Sequence, residues 1–200
     1  MTEKAEPRHL FWDSCILCRY LTETPPEHLM DINQFIHEAK TGDAIIYFST
    51  ILLAEVRPSH LKKKGYLNFN DLQADLQGAL RPIAPNTTIM MMASAMRDHV
   101  FKLKKMQKDQ KERVMSVPDA IHLATCVYAR DTLEIPSIAF HTFDDGKSKG
   151  PDGKSVSLLN FNEWSEHLAQ DPVVAAVRAL PIGEPLHPAP MMDVRADQKK

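Results

Sequence analysis

The sequence lacks a dominant charge, a cysteine framework and any long apolar run, and each absence removes a class of protein. Against 24 Lys and Arg stand 26 Asp and Glu, a formal net charge of −2 over 200 residues. That balance excludes a polycation gripping nucleic acid through whole-surface charge. Three cysteines are an odd count without the spacing of a disulfide scaffold, which favours a reducing compartment. The longest apolar stretch, residues 44–56, is interrupted by Ser49 and Thr50 and is too short to span a bilayer. Residues 1–8 are polar with no apolar segment behind them, so no secretory leader is expected and the expected location is cytoplasmic. No internal repeat or collagen-like period is visible. What is present, 44% hydrophobic and 25% charged residues, is the composition of an ordinary globular domain long enough to bury a core.

Strand-like and helix-like segments alternate along the chain. Leu10-Phe11-Trp12 is a short apolar run ending on Asp13-Ser14, which reads as a buried strand feeding a helix capped by Asp13 or Ser14. Residues 27–40 carry an apolar helical stripe that stops at Gly42. Residues 44–48 form a second buried strand, with Ser49-Thr50 expected to cap a short helix over 51–56 and Arg57-Pro58 to end it. After a basic connection at 60–65, a short helix is expected over 70–80 and a turn at Pro82 and Pro85. A long helix capped by Asn86 is then expected to turn basic towards Arg113. Ser116-Val117-Pro118-Asp119 opens a helix that is apolar on nearly every side. Strands are expected at 138–143 and 156–159, with a last helix near 163–169. This alternation gives an α/β domain with a mainly parallel central sheet over residues 1–170. Five of the 14 prolines fall in the last thirty residues, so 171–200 reads as a Pro-rich extension, partly disordered and without a core of its own from 181 onward.

Four acids share one local logic. Asp13 and Asp144 end strands, Glu55 lies on the helix directly after the second strand, and Asp119 sits in the first turn of the apolar helix. In an open parallel sheet such positions gather along one edge, where these folds bind ligands. Clustered carboxylates repel, and a hard divalent cation such as Mg²⁺ or Mn²⁺ relieves that repulsion. Such an ion activates water and stabilises charge on a phosphoryl oxygen, which points to phosphodiester hydrolysis. Taken singly, Asp13 and Asp119 also suit helix caps, Glu55 a solvated helix edge, and Asp144-Asp145-Gly146 a turn.

In order, Leu10-Phe11-Trp12-Asp13-Ser14, Ser49 to Val56, Pro118-Asp119-Ala120-Ile121-His122-Leu123-Ala124-Thr125 and His141-Thr142-Phe143-Asp144 resemble the successive motifs of PIN-domain nucleases, the group that includes VapC-type toxins. The resemblance runs from about residue 9 to residue 168. It implies a three-layer α/β/α sandwich and a Mg²⁺- or Mn²⁺-dependent endoribonuclease. Asp13, Glu55, Asp119 and Asp144 would be its metal-binding, catalytic acids, with Ser14 and Thr142 as supporting hydroxyls. It further implies an RNA substrate, an antitoxin partner of a type II toxin–antitoxin pair, and a homodimer. One departure is Cys15, where the family often carries Asn, because a thiol does not reproduce an amide's hydrogen bonds.

Other signals compete with this one. A scaffold without turnover would serve as a binding module, with Cys15 and the methionines around Met90 in its favour. Cys15 and Cys18 imitate a redox Cys-x-x-Cys at a helix start, although their helical spacing also fits core packing. His122 reads as a packed histidine rather than a base. The bases from Lys102 to Arg113 and at Lys62 to Lys64 suit either a solvated face or contact with a phosphate backbone.

Overall fold

The computed structural model describes residues 6–76, 78–104, 112–147, 149–150 and 153–188. The first strand, β1 (Arg8–Trp12), ends on Asp13, whose carboxylate caps α1 (Ser14–Thr22). Helix α2 (Leu29–Thr41) closes on Gly42 at φ 81°, a left-handed position that glycine takes without a Cβ clash. Strand β2 (Ala44–Ser49) is followed by α3 (Leu52–Glu55), α4 (Pro58–Lys63) and α5 (Phe69–Asp75). Then come β3 (Leu80–Ile83), α6 (Thr87–Arg97) and the buried α7 (Val117–Asp131). Strand β4 (Ala139–His141) precedes a small antiparallel pair, β5 (Lys149–Gly150) and β6 (Gly153–Lys154). A short α8 (Phe161–Trp164), a 3₁₀ turn (Glu166–Leu168), α9 (Pro172–Arg178) and β7 (Ile182–Gly183) complete the order.

The central sheet runs β3-β2-β1-β4-β7 with every pairing parallel. Alternation along its strands builds two cores, because successive side chains leave opposite faces. Phe11, Tyr47 and Phe140 join the core under α6, α7 and α9. Leu10, Trp12, Ala44, Ile46 and Phe48 join the other, under α1, α2, α4 and α5. The architecture is therefore a three-layer α/β/α sandwich.

Several boundaries differ from the sequence reading. The helix capped by Asn86 stops at Arg97 rather than continuing towards Arg113, because Phe101 is fully buried and exchanges two backbone hydrogen bonds with Arg113, of 2.8 and 2.9 Å. Lys105, Lys108 and Lys111 lie outside the described residues. Pro82 belongs to a strand after all; β3 is an edge, where a missing N–H costs no ladder bond. The connection at 60–65 is largely helical, as α4. Ser49 does not cap α3: its hydroxyl accepts from Thr125 at 3.2 Å, tying β2 to α7. Val156 and Leu158 are buried in irregular chain rather than in a strand. The sheet position beyond β4 is taken instead by β7, from the segment read as coreless, and α9 buries Val174 and Val177. Residues 189–200 lie outside the described chain.

Candidate acidic site

Strand order reverses between β1 and β4, and the crevice beyond their carboxyl ends is where an open sheet receives ligands. Asp13 leaves β1 at this point and is only 4% exposed. Its Oδ1 accepts the Ser14 backbone N–H at 2.7 Å, with the Ser14 hydroxyl at 3.5 Å. Its Oδ2 accepts from the Thr142 hydroxyl at 2.7 Å and from the Cys15 thiol at 3.0 Å. Thr142, just past β4, in turn accepts the Asp144 N–H at 3.0 Å. One buried hydroxyl thus ties the acid after β1 to the acid after β4.

Asp119 stands in the first turn of α7, whose cap, Ser116, takes its backbone N–H at 3.2 Å. Two hydroxyls, Ser116 at 2.5 Å and Ser155 at 2.7 Å, donate to the same Oδ2 of Asp119. Ser155 had no signal in the sequence, since it reaches Asp119 from 36 residues away through a loop. Burial pushes the Asp119 carboxyl above the ordinary carboxylate range; the Ser116 and Ser155 bonds oppose that shift and the Asp13 charge adds to it. Asp144 is pushed up to about 6, first by burial and then by Asp119 and Asp13, against the Gly146 N–H that holds its Oδ1 at 2.9 Å.

Glu55 closes α3 and meets the cluster through His122. The imidazole is fully buried, and its Nε2 lies 2.7 Å from Glu55 Oε2 and 3.7 Å from Asp13 Oδ1. Burial alone would lower the His122 pKa, but the Glu55 hydrogen bond and the charges of Asp13, Glu55 and Asp119 leave it raised. The packed histidine of the sequence reading is therefore also the acids' buried partner. Its spacing was the available signal: three residues after Asp119, it shares that residue's face of α7.

The structure brings Asp13, Asp119 and Asp144 within reach of one another's charge, with Glu55 joined through His122. Among the described residues, no group of three or more His, Cys, Asp or Glu stands in an arrangement that could hold a metal ion. The donor chemistry nevertheless fits a hard divalent cation, because all four acids are oxygen ligands and burial, with the neighbouring carboxylates, holds Asp119 and Asp144 above their ordinary pKa, a cost that a bound cation would offset.

The remaining sequence signals resolve differently. Cys15 donates to Asp13 and accepts the Phe143 N–H at 3.2 Å, so it makes one bond of each kind where the amide was expected. Burial pushes its thiol well above the ordinary value, and Cys18 up to about 11, the reverse of an activated dithiol. Of the bases, Arg113 donates to the Gly146 and Ser155 carbonyls at 2.8 and 2.9 Å and lies over the Trp164 ring. It braces loops and is not a free phosphate contact. Lys104 pairs with Glu166 and Lys64 with Glu23, whereas Lys62, Lys63 and Lys102 are exposed. Among the described residues, no helix is long and apolar enough to cross a membrane.

No protein-family model matches the chain, and no curated protein is a match for it. The functional reading therefore rests on the residues themselves.

Proposed function

We propose that the chain is a PIN-type endoribonuclease, dependent on Mg²⁺ or Mn²⁺ and acting in the cytoplasm as the toxin of a type II toxin–antitoxin pair. The observation carrying this reading is the gathering of Asp13, Asp119 and Asp144, with Glu55 behind His122, at the reversal point of a parallel sheet. These four residues would hold the cation, whose chemistry is to activate water and to stabilise charge on a phosphoryl oxygen. Thr142 keeps Asp13 and the Asp144 backbone in fixed relation, and Ser116 and Ser155 occupy one oxygen of Asp119, leaving its other oxygen for a ligand. Exposed Lys62, Lys63 and Lys102 are among the bases available to an RNA backbone. An antitoxin and a second copy of the chain are the proposed protein partners. The test is cleavage of single-stranded RNA with Mn²⁺; undiminished cleavage by Asp13→Asn and Asp119→Asn would sink the catalytic assignment.

A second reading has one observation in its favour. With no three-ligand group assembled among the described residues, a binding module without turnover is the competing function. A Mn²⁺ titration followed by thermal shift separates the two, since a module without a cation site leaves the melting curve unmoved.

A further inference from the structure

A buried histidine that serves only to pack finds hydrogen-bond partners for both ring nitrogens. His122 does not. Its Nδ1 has no partner among the described residues, while its Nε2 is committed to Glu55 at 2.7 Å. The hydrogen bond from His122 is the one that the Glu55 carboxylate makes among the described residues. Glu55 itself ends a helix of four residues with its side chain 28% exposed, so its own element does little to fix its direction. The same ring nitrogen is 3.7 Å from Asp13 Oδ1. Two acids delivered by separate strand ends, after β1 and after β2, thus meet across a ring delivered by α7.

We propose that His122 is a positioning residue, whose Nε2–H holds the Glu55 carboxylate beside Asp13 and so sets how tightly this cleft binds a divalent cation. The inference rests on the cation-site reading above. The logic is that of a hydrogen-bonded partner that orients a metal ligand without touching the metal, whose loss weakens affinity by about 10- to 100-fold. Leu or Met at position 122 would fill the space and release Glu55. Gln would keep an N–H donor at about the reach of Nε2.

The test uses the full chain and Mn²⁺ alone, with bound ion read from the loss of the free-ion EPR signal. His122→Leu and Glu55→Gln should each weaken Mn²⁺ binding about 10-fold, the double variant no more than Glu55→Gln alone, and His122→Gln by less than about threefold. A residue that merely supports the fold would lower stability without this non-additivity and without rescue by Gln. Should His122→Leu fail to fold, the wild-type Nε2 proton provides the readout: its resonance should shift on adding Mg²⁺, and the shift should vanish in Glu55→Gln. Wild-type Mn²⁺ binding with His122→Leu unchanged, additive losses, or an unmoved resonance in a chain that binds Mg²⁺ overturns the positioning role alone. A wild type that binds no Mn²⁺ overturns the cation site and this role with it.

Discussion

Two carboxylate-rich regions lie on this sheet, and they are neutralised in opposite ways. Along α2, Glu38 pairs with Arg8 and accepts from His187 at 2.7 Å, while Asp31 accepts the His187 backbone N–H at 2.9 Å. Phe35 packs against His187 and lies under Arg8. Each acid there has a partner, and the pairs fasten residues 184–188 across α2. At the carboxyl edge, Asp13, Glu55 and Asp119 share one buried imidazole, and Asp119 and Asp144 are held above the ordinary carboxylate range. Where acids are matched by cations they fasten the chain. Where they are not, the fold carries an electrostatic cost that a ligand of opposite charge removes.

That contrast breaks most sharply on activity. Asp13→Asn or Asp119→Asn should cut Mn²⁺-dependent RNA cleavage by about 100-fold or more, whereas Glu38→Gln should leave the rate within about twofold at temperatures where it is folded. Stability should respond in reverse. Glu38→Ala strands Arg8 and His187 and should cost about 1–2 kcal/mol in a urea titration, since the pair is only partly buried. Asp144→Asn, measured in EDTA at pH 7, should raise the melting temperature. If Asp144→Asn lowers it, the acid is a structural element of its loop and the comparison fails.

A finer test uses pH. The folded pKa of Asp144, about 6, lies above its ordinary value, so its contribution is present below pH 4 and is lost as pH rises through 6. His141, also buried and beside Arg8, is pushed down to about 4. Its contribution runs the other way: the unfolded chain binds the extra proton, so stability is lost as pH falls from 6.5 through 4, by about 3 kcal/mol at most. The two slopes oppose each other between pH 4 and 6. In EDTA, Asp144→Asn should therefore steepen the rise of melting temperature with pH across that window, and His141→Phe should flatten or invert it. The smallest effect is chemical. Cys15 in the folded chain should resist iodoacetamide at pH 8, as read by mass spectrometry, and Cys15→Ser should cost about 1 kcal/mol or less.

Much of this arrangement was legible from residue order. Asp13 announces itself as a cap by standing between an apolar run and a helical stripe, Ser116 by preceding Pro118 and an apolar helix, and the four acids follow from where strands end and the next helices begin. Short edge strands were not legible: β3 and β7 have four and two residues, too few to show a period, and Pro82 reads as a turn while Pro181 opens the stretch read as coreless. The end of α6 was hidden because the bases after Arg97 extend a helical composition, while Phe101, a single buried ring, redirects the chain. His122 was legible as a position on α7 but not as a partner of Glu55, because that contact spans 67 residues.

The last strand has a consequence for the order in which the protein is made. Gly183 accepts the Thr142 backbone N–H at 3.0 Å, and Pro181 accepts that of Phe140 at 2.8 Å. Thr142 is the residue whose hydroxyl secures Asp13. A chain emerging from the ribosome therefore carries all four acids well before the strand that pins Thr142 has been synthesised, and until then β4 presents an open edge. The acidic centre is completed only once residues 181–183 are in place, so a nascent chain stalled before residue 181 would hold every acid of the site without its completed frame.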